Sequence, residues 1–205
     1  MAGKISKTDQ RREELRERLI GIAEARIAAQ GLASVKVRDL AREAGCAVGA
    51  IYNVFTDLNG LVMAVNGRTF RKLGSHVSET VAERPQDRAQ DQLITMSLAY
   101  LHFAQGNHNL WRALFDLDMS TDMDVPQWYL AELGALFALI AAPIARIFPD
   151  WPGDRVDLMT RTLFSSVHGI VLLGLQKRIS GVPLDRIEAM IAALLSNVTA
   201  QAGKP

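Results

Sequence analysis

The stretch from Val37 to Phe55, VRDLAREAGCAVGAIYNVF, constrains the fold more than any other part of the chain. Leu40, Ala41 and Ala44 share one face of a helix, Gly45 can take positive φ, and Ile51 and Phe55 face back from a second helix. Two short amphipathic helices joined by a glycine turn make a helix-turn-helix. Ala41 is small enough for the helices to approach closely, and Cys46 reads as a small core side chain filling the turn rather than a reactive thiol.

Helical periodicity extends to almost every other segment, and no alternating β-branched run bounded by turn residues argues for a sheet, so the expected fold class is all-α. Thr8 or Asp9 is placed to cap a first helix carrying Leu15, Leu19, Ile22, Ala23 and Ile27 on one face, stopped by Gly31. Short helices over Val37 to Ala44 and Ala47 to Phe55 follow, then a connecting helix from Leu58 towards Ser78. Beyond Pro85 the spacing predicts helices over Arg88 to Gln105, Asn107 to Leu117, Pro126 to Phe148, Asp154 to Arg178 and Leu184 to Gln201. Breaks fall at Gly106, at the acidic stretch Asp116 to Asp124, at Pro149 to Gly153 and at Gly181 to Pro183. These signals divide the chain into a head over 1–56, with an N-terminal arm over 1–8, and a helical body over 57–205, of which 57–78 connects the two. The ends, 1–7 and 202–205, are expected to be disordered.

Charge follows the same division. Residues 1–72 hold 13 Lys and Arg against 8 Asp and Glu, whereas residues 73–205 hold 10 against 14. A basic head points towards a polyanion, although a solvated surface also produces such a split. The single Cys46 rules out an internal disulfide framework or a polythiolate metal site. The most apolar stretches, Leu133 to Ile147 and Leu163 to Leu175, are broken by Pro143, Arg146, His168 and several glycines, so a cytoplasmic protein with no membrane partner is expected. Enzyme chemistry finds no support. His76, His102, His108 and His168 form no pair at metal-ligand spacing with a carboxylate, no glycine-rich phosphate loop is present, and the acidic stretch lacks calcium-loop spacing. Neither a metal nor a cofactor is expected.

Over residues 15–65 the sequence resembles the tetracycline-repressor (TetR) family of regulators. The matching residues are Gly31, Val37, Arg38, Asp39, Leu40, Ala41, Ala44, Gly45, Gly49, Ile51, Tyr52, Phe55, Asp57 and Leu61, in the family's order and spacing. The resemblance implies a three-helix DNA-binding head, a C-terminal helical domain that binds a ligand and dimerises, and repression relieved by a small molecule. Residues Ala99 to Ala104, Leu110 to Phe115 and His168-Gly169 also resemble a C-terminal class named for a Trp-His-Gly motif, with Val167 in place of the Trp.

A recognition helix in the major groove presents its first residues and one face to base edges. Val48, Ala50 and Asn53 are then the candidate base contacts, Asn53 towards adenine and Val48 or Ala50 towards a thymine methyl. Tyr52 offers a hydroxyl to a phosphate or, alternatively, half-buried packing. Lys36, Arg38 and Arg42 add cations, though the i, i+4 pair of arginines equally suits an ordinary exposed face. Four positions depart from the family pattern. Lys36 and Ala47 replace the usual Ser or Thr caps, each forgoing about 1 kcal/mol, and Leu58 replaces a phosphate-reaching Lys. Lys4, Lys7, Arg11 and Arg12 are expected to compensate along the duplex. With Val48 also non-basic, the same departures suit an adaptor that keeps the head fold with weakened DNA affinity.

In the body, aromatic and Met side chains are mostly core, and those with a polar handle are the candidates for ligand contact. Tyr100, Trp111, Trp128 and His168 qualify, together with their neighbours Phe103 and Phe115. For His168 a hydrogen-bonded core histidine is the slightly favoured reading. Few cations interrupt these segments, so a small, largely apolar effector is expected. Wide apolar faces on Asp154 to Arg178 and Leu184 to Gln201 suggest a homodimer through a four-helix interface, with Ser166, Gly169 and Gly174 permitting close approach.

Overall fold

The computed structural model describes residues 6–117, 125–176 and 182–200, and every regular element among them is helical. The α-helices are α1 (Lys7–Gln30), α2 (Val37–Ala44), α3 (Val48–Tyr52), α4 (Leu58–Ala82), α5 (Ala89–Gly106), α6 (His108–Asp116), α7 (Gln127–Ile147), α8 (Gly153–Leu175) and α9 (Ile187–Thr199). Single 3-10 turns precede α2 at Leu32–Ser34 and α9 at Leu184–Arg186. The chain forms two compact units: one comprises Met1–Thr69 with Asn107–Tyr129, the other Phe70–Gly106 with Leu130–Pro205. The first three turns of α4, all of α6 and the first turn of α7 therefore group with the helix-turn-helix.

The first unit is built on a continuous apolar core. Leu19, Ile20, Ala23 and Ile27 of α1 meet Leu40, Ala41 and Ala44 of α2, then Ile51, Phe55, Leu61, Val65, Leu110 and Ala113. Fully burying each large aliphatic side chain contributes about 1.5–3 kcal/mol, which is why helices as short as α2 and α3 persist. The cap of α1 is Ser6 rather than Thr8 or Asp9. Its hydroxyl accepts the Asp9 backbone N–H at 3.1 Å and donates to the Asp9 carboxylate at 2.7 Å, a reciprocal arrangement that holds the first turn. Lys7, Arg11 and Arg12 accordingly stand on α1 and not on an arm, while Lys4 lies outside the described residues.

The turn after α2 follows its sequence closely. Gly45 is left-handed (φ 66°, ψ 36°), its N–H reaches the Arg42 carbonyl, and the Cys46 N–H donates to Ala41 at 3.0 Å. This is the paired closure of a Schellman motif, and half-buried Cys46 packs against the core as the turn requires. Neither Lys36 nor Ala47 makes a side-chain cap. The second short helix is shorter than expected: after Tyr52 the chain closes on the Ile51 carbonyl, which accepts the N–H groups of Val54 and Phe55.

Two asparagines add donors at the ends of other helices. Asn109 of α6 donates to the Ala28 carbonyl near the end of α1 at 2.9 Å. Asn66 of α4 donates to the Ala113 carbonyl at 3.0 Å, where α6 runs into an extended Leu117. Each side chain supplies a donor to a carbonyl in the last turn of another helix.

In the second unit α5, α8 and α9 pack on one another. Leu163, Val167 and Val171 of α8 and Ile187, Ile191 and Leu195 of α9 are buried. Gly174, expected on an outward dimer face, is buried instead, because a Cβ there would stand 2.9 Å from Ile187 Cγ1. Its missing side chain serves contact within the unit. The expected continuation of α8 to Arg178 and of α9 to Gln201 lies outside the described residues. By length and composition alone, α7 and α8 are apolar enough to cross a membrane.

Candidate DNA-binding face and ligand site

Burial on α3 separates its two faces. Ile51 is 1% exposed and Phe55, just beyond the helix, is 6% exposed, whereas Val48 is 38% and Tyr52 52% exposed. Asn53 is exposed and Ala50 half-buried, so of the three expected base-contact residues Val48 and Asn53 stand clear while Ala50 is partly covered. Apolar Val48 and the Tyr52 ring thus sit on the outward side of a helix whose inward side is already filled.

The surrounding cations differ from one another. Lys36 and Arg38 are exposed. Arg42 bonds Asp39 at 2.7 Å, and Arg26, bonded to Glu43 at 2.8 Å, also approaches Asp39 at 3.9 Å. Part of the positive charge expected to face DNA is therefore balanced locally. Arg18, which the sequence reading did not single out, donates to the Ala44 carbonyl at 3.2 Å and ties α1 to the last residue of α2. Arg16 lies 5.5 Å from the centre of the Phe55 ring. A basic residue one helix away carries no local signature of a cap, which explains the omission.

The six expected ligand residues divide between the two units. Tyr100, Phe103 and His168 lie in the second, while Trp111, Phe115 and Trp128 lie in the first. Trp111 is fully buried and meets Phe115 edge-on at 5.6 Å. Trp128 is 44% exposed, lies against the backbone of Gly67 and packs edge-on with buried Tyr129. Beneath them Asn66 Nδ2 also approaches the Tyr129 hydroxyl at 3.4 Å, and Asn66 Oδ1 is buried without a protein partner. Burial pushes the Tyr129 hydroxyl above its ordinary pKa, opposed in smaller part by the Asn66 hydrogen bond.

The second unit brings two of its three residues into direct contact. Tyr100 Oη and His168 Nδ1 are hydrogen-bonded at 2.7 Å. Phe164, one turn before His168, stacks on the imidazole at 5.7 Å and meets Tyr100 edge-on at 6.1 Å. Phe103 instead lies 6.1 Å from the ring of His76. Periodicity marks each of these rings as inward, but no local pattern reports that residues 68 positions apart would bond. Among the described residues no group of three or more His, Cys, Asp or Glu side chains is placed to hold a metal ion.

Comparison with known proteins agrees with this geometry. Residues 19–65 match the model described as bacterial regulatory proteins of the tetR family, and residues 93–198 match the tetracyclin repressor-like C-terminal domain. No curated protein matches the sequence. Among solved structures, a protein of unknown function from Rhodococcus sp. RHA1 superposes with a TM-score of 0.71 at 23% identity, covering 90% of this chain and 94% of that one. RolR, solved with resorcinol, superposes with a TM-score of 0.68 at 18% identity over 96% of each chain. The transcriptional regulator FadR from Bacillus subtilis, solved with stearoyl-CoA, gives 0.62 at 18% identity over 92% of this chain and 97% of that one. At these identities the superpositions speak for the fold, and the two family models speak for the function class. With an exposed α3 face on a buried helix-turn-helix core and a C-terminal match spanning more than half of its length, the chain belongs to the TetR family of DNA-binding transcriptional regulators.

Proposed function

We propose that the protein is a homodimeric repressor that leaves a near-palindromic operator when a small, largely apolar ligand binds its C-terminal domain. The observation that carries this reading is the outward face of α3, where Val48, Tyr52 and Asn53 are exposed above buried Ile51. Asn53 reads adenine and Val48 touches a thymine methyl, with half-buried Ala50 a secondary contact. The Tyr52 hydroxyl, Lys36 and Arg38 hold phosphates, and Arg42 joins them only by giving up its bond to Asp39. The functional head is residues 1–56, and 57–205 sense the ligand and dimerise.

Dimerisation uses the outer sides of α8 and α9, where Leu158, Leu173 and Met190 are 67%, 49% and 38% exposed. Two-fold pairing there covers apolar surface that a single chain leaves in water. It also sets the two α3 helices one DNA turn apart, about 34–36 Å. The ligand complexes of RolR and FadR support an effector in the C-terminal domain. A cytoplasmic location follows from DNA as the partner.

A mobility-shift titration with DNA from upstream of the protein's own gene tests the reading. A discrete shift is expected, removed by unlabelled specific fragment but not by random DNA, and weakened by Asn53→Ala. Absence of any shift at about 50 mM salt, where phosphate contacts are strong, would favour the adaptor reading and overturn this one.

A further inference from the structure

We infer that the effector is an aromatic compound carrying an uncharged hydroxyl or similar hydrogen-bonding group, read by the Tyr100–His168 pair. This rests on the proposed ligand-release function and narrows it to a chemical class. The rings come from three helices. Tyr100 lies on α5, Phe137 on α7, and Phe164 and His168 one turn apart on α8. Phe137 and Phe164 meet edge-on at 5.2 Å and 79°, and Tyr100 meets Phe164 at 68°, so ring edges and faces alternate. That alternation matches the quadrupole of a further aromatic ring better than an aliphatic chain, which gains no edge-to-face term.

Exposure within the cluster is graded. Tyr100 is 8% exposed, while Phe137, Phe164 and His168 are half-buried. The hydrogen-bonded pair therefore lies at a boundary between core and solvent and not wholly inside the core. A phenol oxygen and an imidazole can each donate or accept according to tautomer, which suits a ligand hydroxyl that does both. Arg161 lies 5.2 Å from the centre of the Phe137 ring. It bonds Asp157 at 2.9 Å and is 60% exposed. Its charge is balanced and in water, a poor counter-ion for a carboxylate or phosphate on the ligand.

The full-length protein is titrated with 2-naphthol, naphthalene and decanoate by calorimetry, and each compound is added to the complex with the upstream DNA. 2-Naphthol is expected to bind about tenfold more tightly than naphthalene, the size of one well-made hydrogen bond, and to release the DNA. In Tyr100→Phe that ratio should fall towards one. In Phe164→Leu both aromatic compounds should weaken together. Equal binding of 2-naphthol and naphthalene by the wild-type protein overturns the assignment, as does failure of all three compounds to bind. Tighter binding of decanoate, with release of DNA, overturns the aromatic class but leaves ligand release standing. Loss of the DNA shift without any compound would instead overturn the parent reading.

Discussion

Gly174→Ala sets helix propensity against packing at a single position. In the helix the substitution favours folding by about 0.5–1 kcal/mol. Against this, the new methyl would stand 2.9 Å from Ile187 Cγ1, closer still to its Cδ1, and 3.7 Å from Val182 Cβ. Ordinary carbon contacts lie at about 3.5–4.0 Å. Ile187 is 0% exposed, so it has no open space to swing into, and forcing an extra methyl into such a core costs about 1–3 kcal/mol. The packing term wins, and Gly174→Ala should destabilise the protein by about 1–2 kcal/mol. Ile187→Ala alone should cost about 2–5 kcal/mol through the cavity it leaves. In the double variant the methyl at 174 enters that space, and the two effects should fall short of their sum by about 1–3 kcal/mol. Urea unfolding followed by circular dichroism, at one fixed protein concentration because a dimer's stability depends on it, reads all four corners of the cycle. A Gly174→Ala protein stabilised by about 1 kcal/mol, with additive effects in the double variant, would refute the packing argument.

Two further outcomes follow from the polar groups beneath Trp128. Asn66→Ala removes the donor to the Ala113 carbonyl and should cost about 1–3 kcal/mol. Asn66→Asp should cost more at neutral pH, because it sets a carboxylate against that carbonyl; an Asp variant as stable in urea as the Ala variant would contradict the assigned bond. Tyr129 titrates with a raised pKa in the fold, whereas the unfolded phenol ionises near pH 10. Its contribution to stability is thus constant below about pH 10 and is lost as pH rises towards the folded-state value. Tyr129→Phe should lose less stability over that alkaline range than wild type, and identical slopes in the two proteins would count against burial of the hydroxyl.

Local signals alone located the helix-turn-helix. Val37–Ala44 is helical over the expected residues, Gly45 takes the left-handed turn, and Lys36 and Ala47 make no side-chain caps. Each is a property of a few neighbouring residues, as are the all-helical class and the breaks near Gly106 and Pro149. The start of α1 escaped the same reasoning by two residues, since Ser6, Thr8 and Asp9 are all competent caps and only the finished turn selects among them. What tertiary structure decided is which faces meet. Periodicity marked Gly174 as one small residue on a wide apolar face, but only the approach of Ile187 turns it inward. Asn109 bonds Ala28 across 81 positions, and Tyr100 bonds His168 across 68. Contacts of that kind are fixed by the packing of whole helices, which no window of neighbouring residues encodes. The sequence by itself therefore determined the helix-turn-helix and the family to which the chain belongs. The grouping of α6 with the head and the meeting of Tyr100 with His168 were settled only by long-range packing, because a helix records its buried face but not its partner.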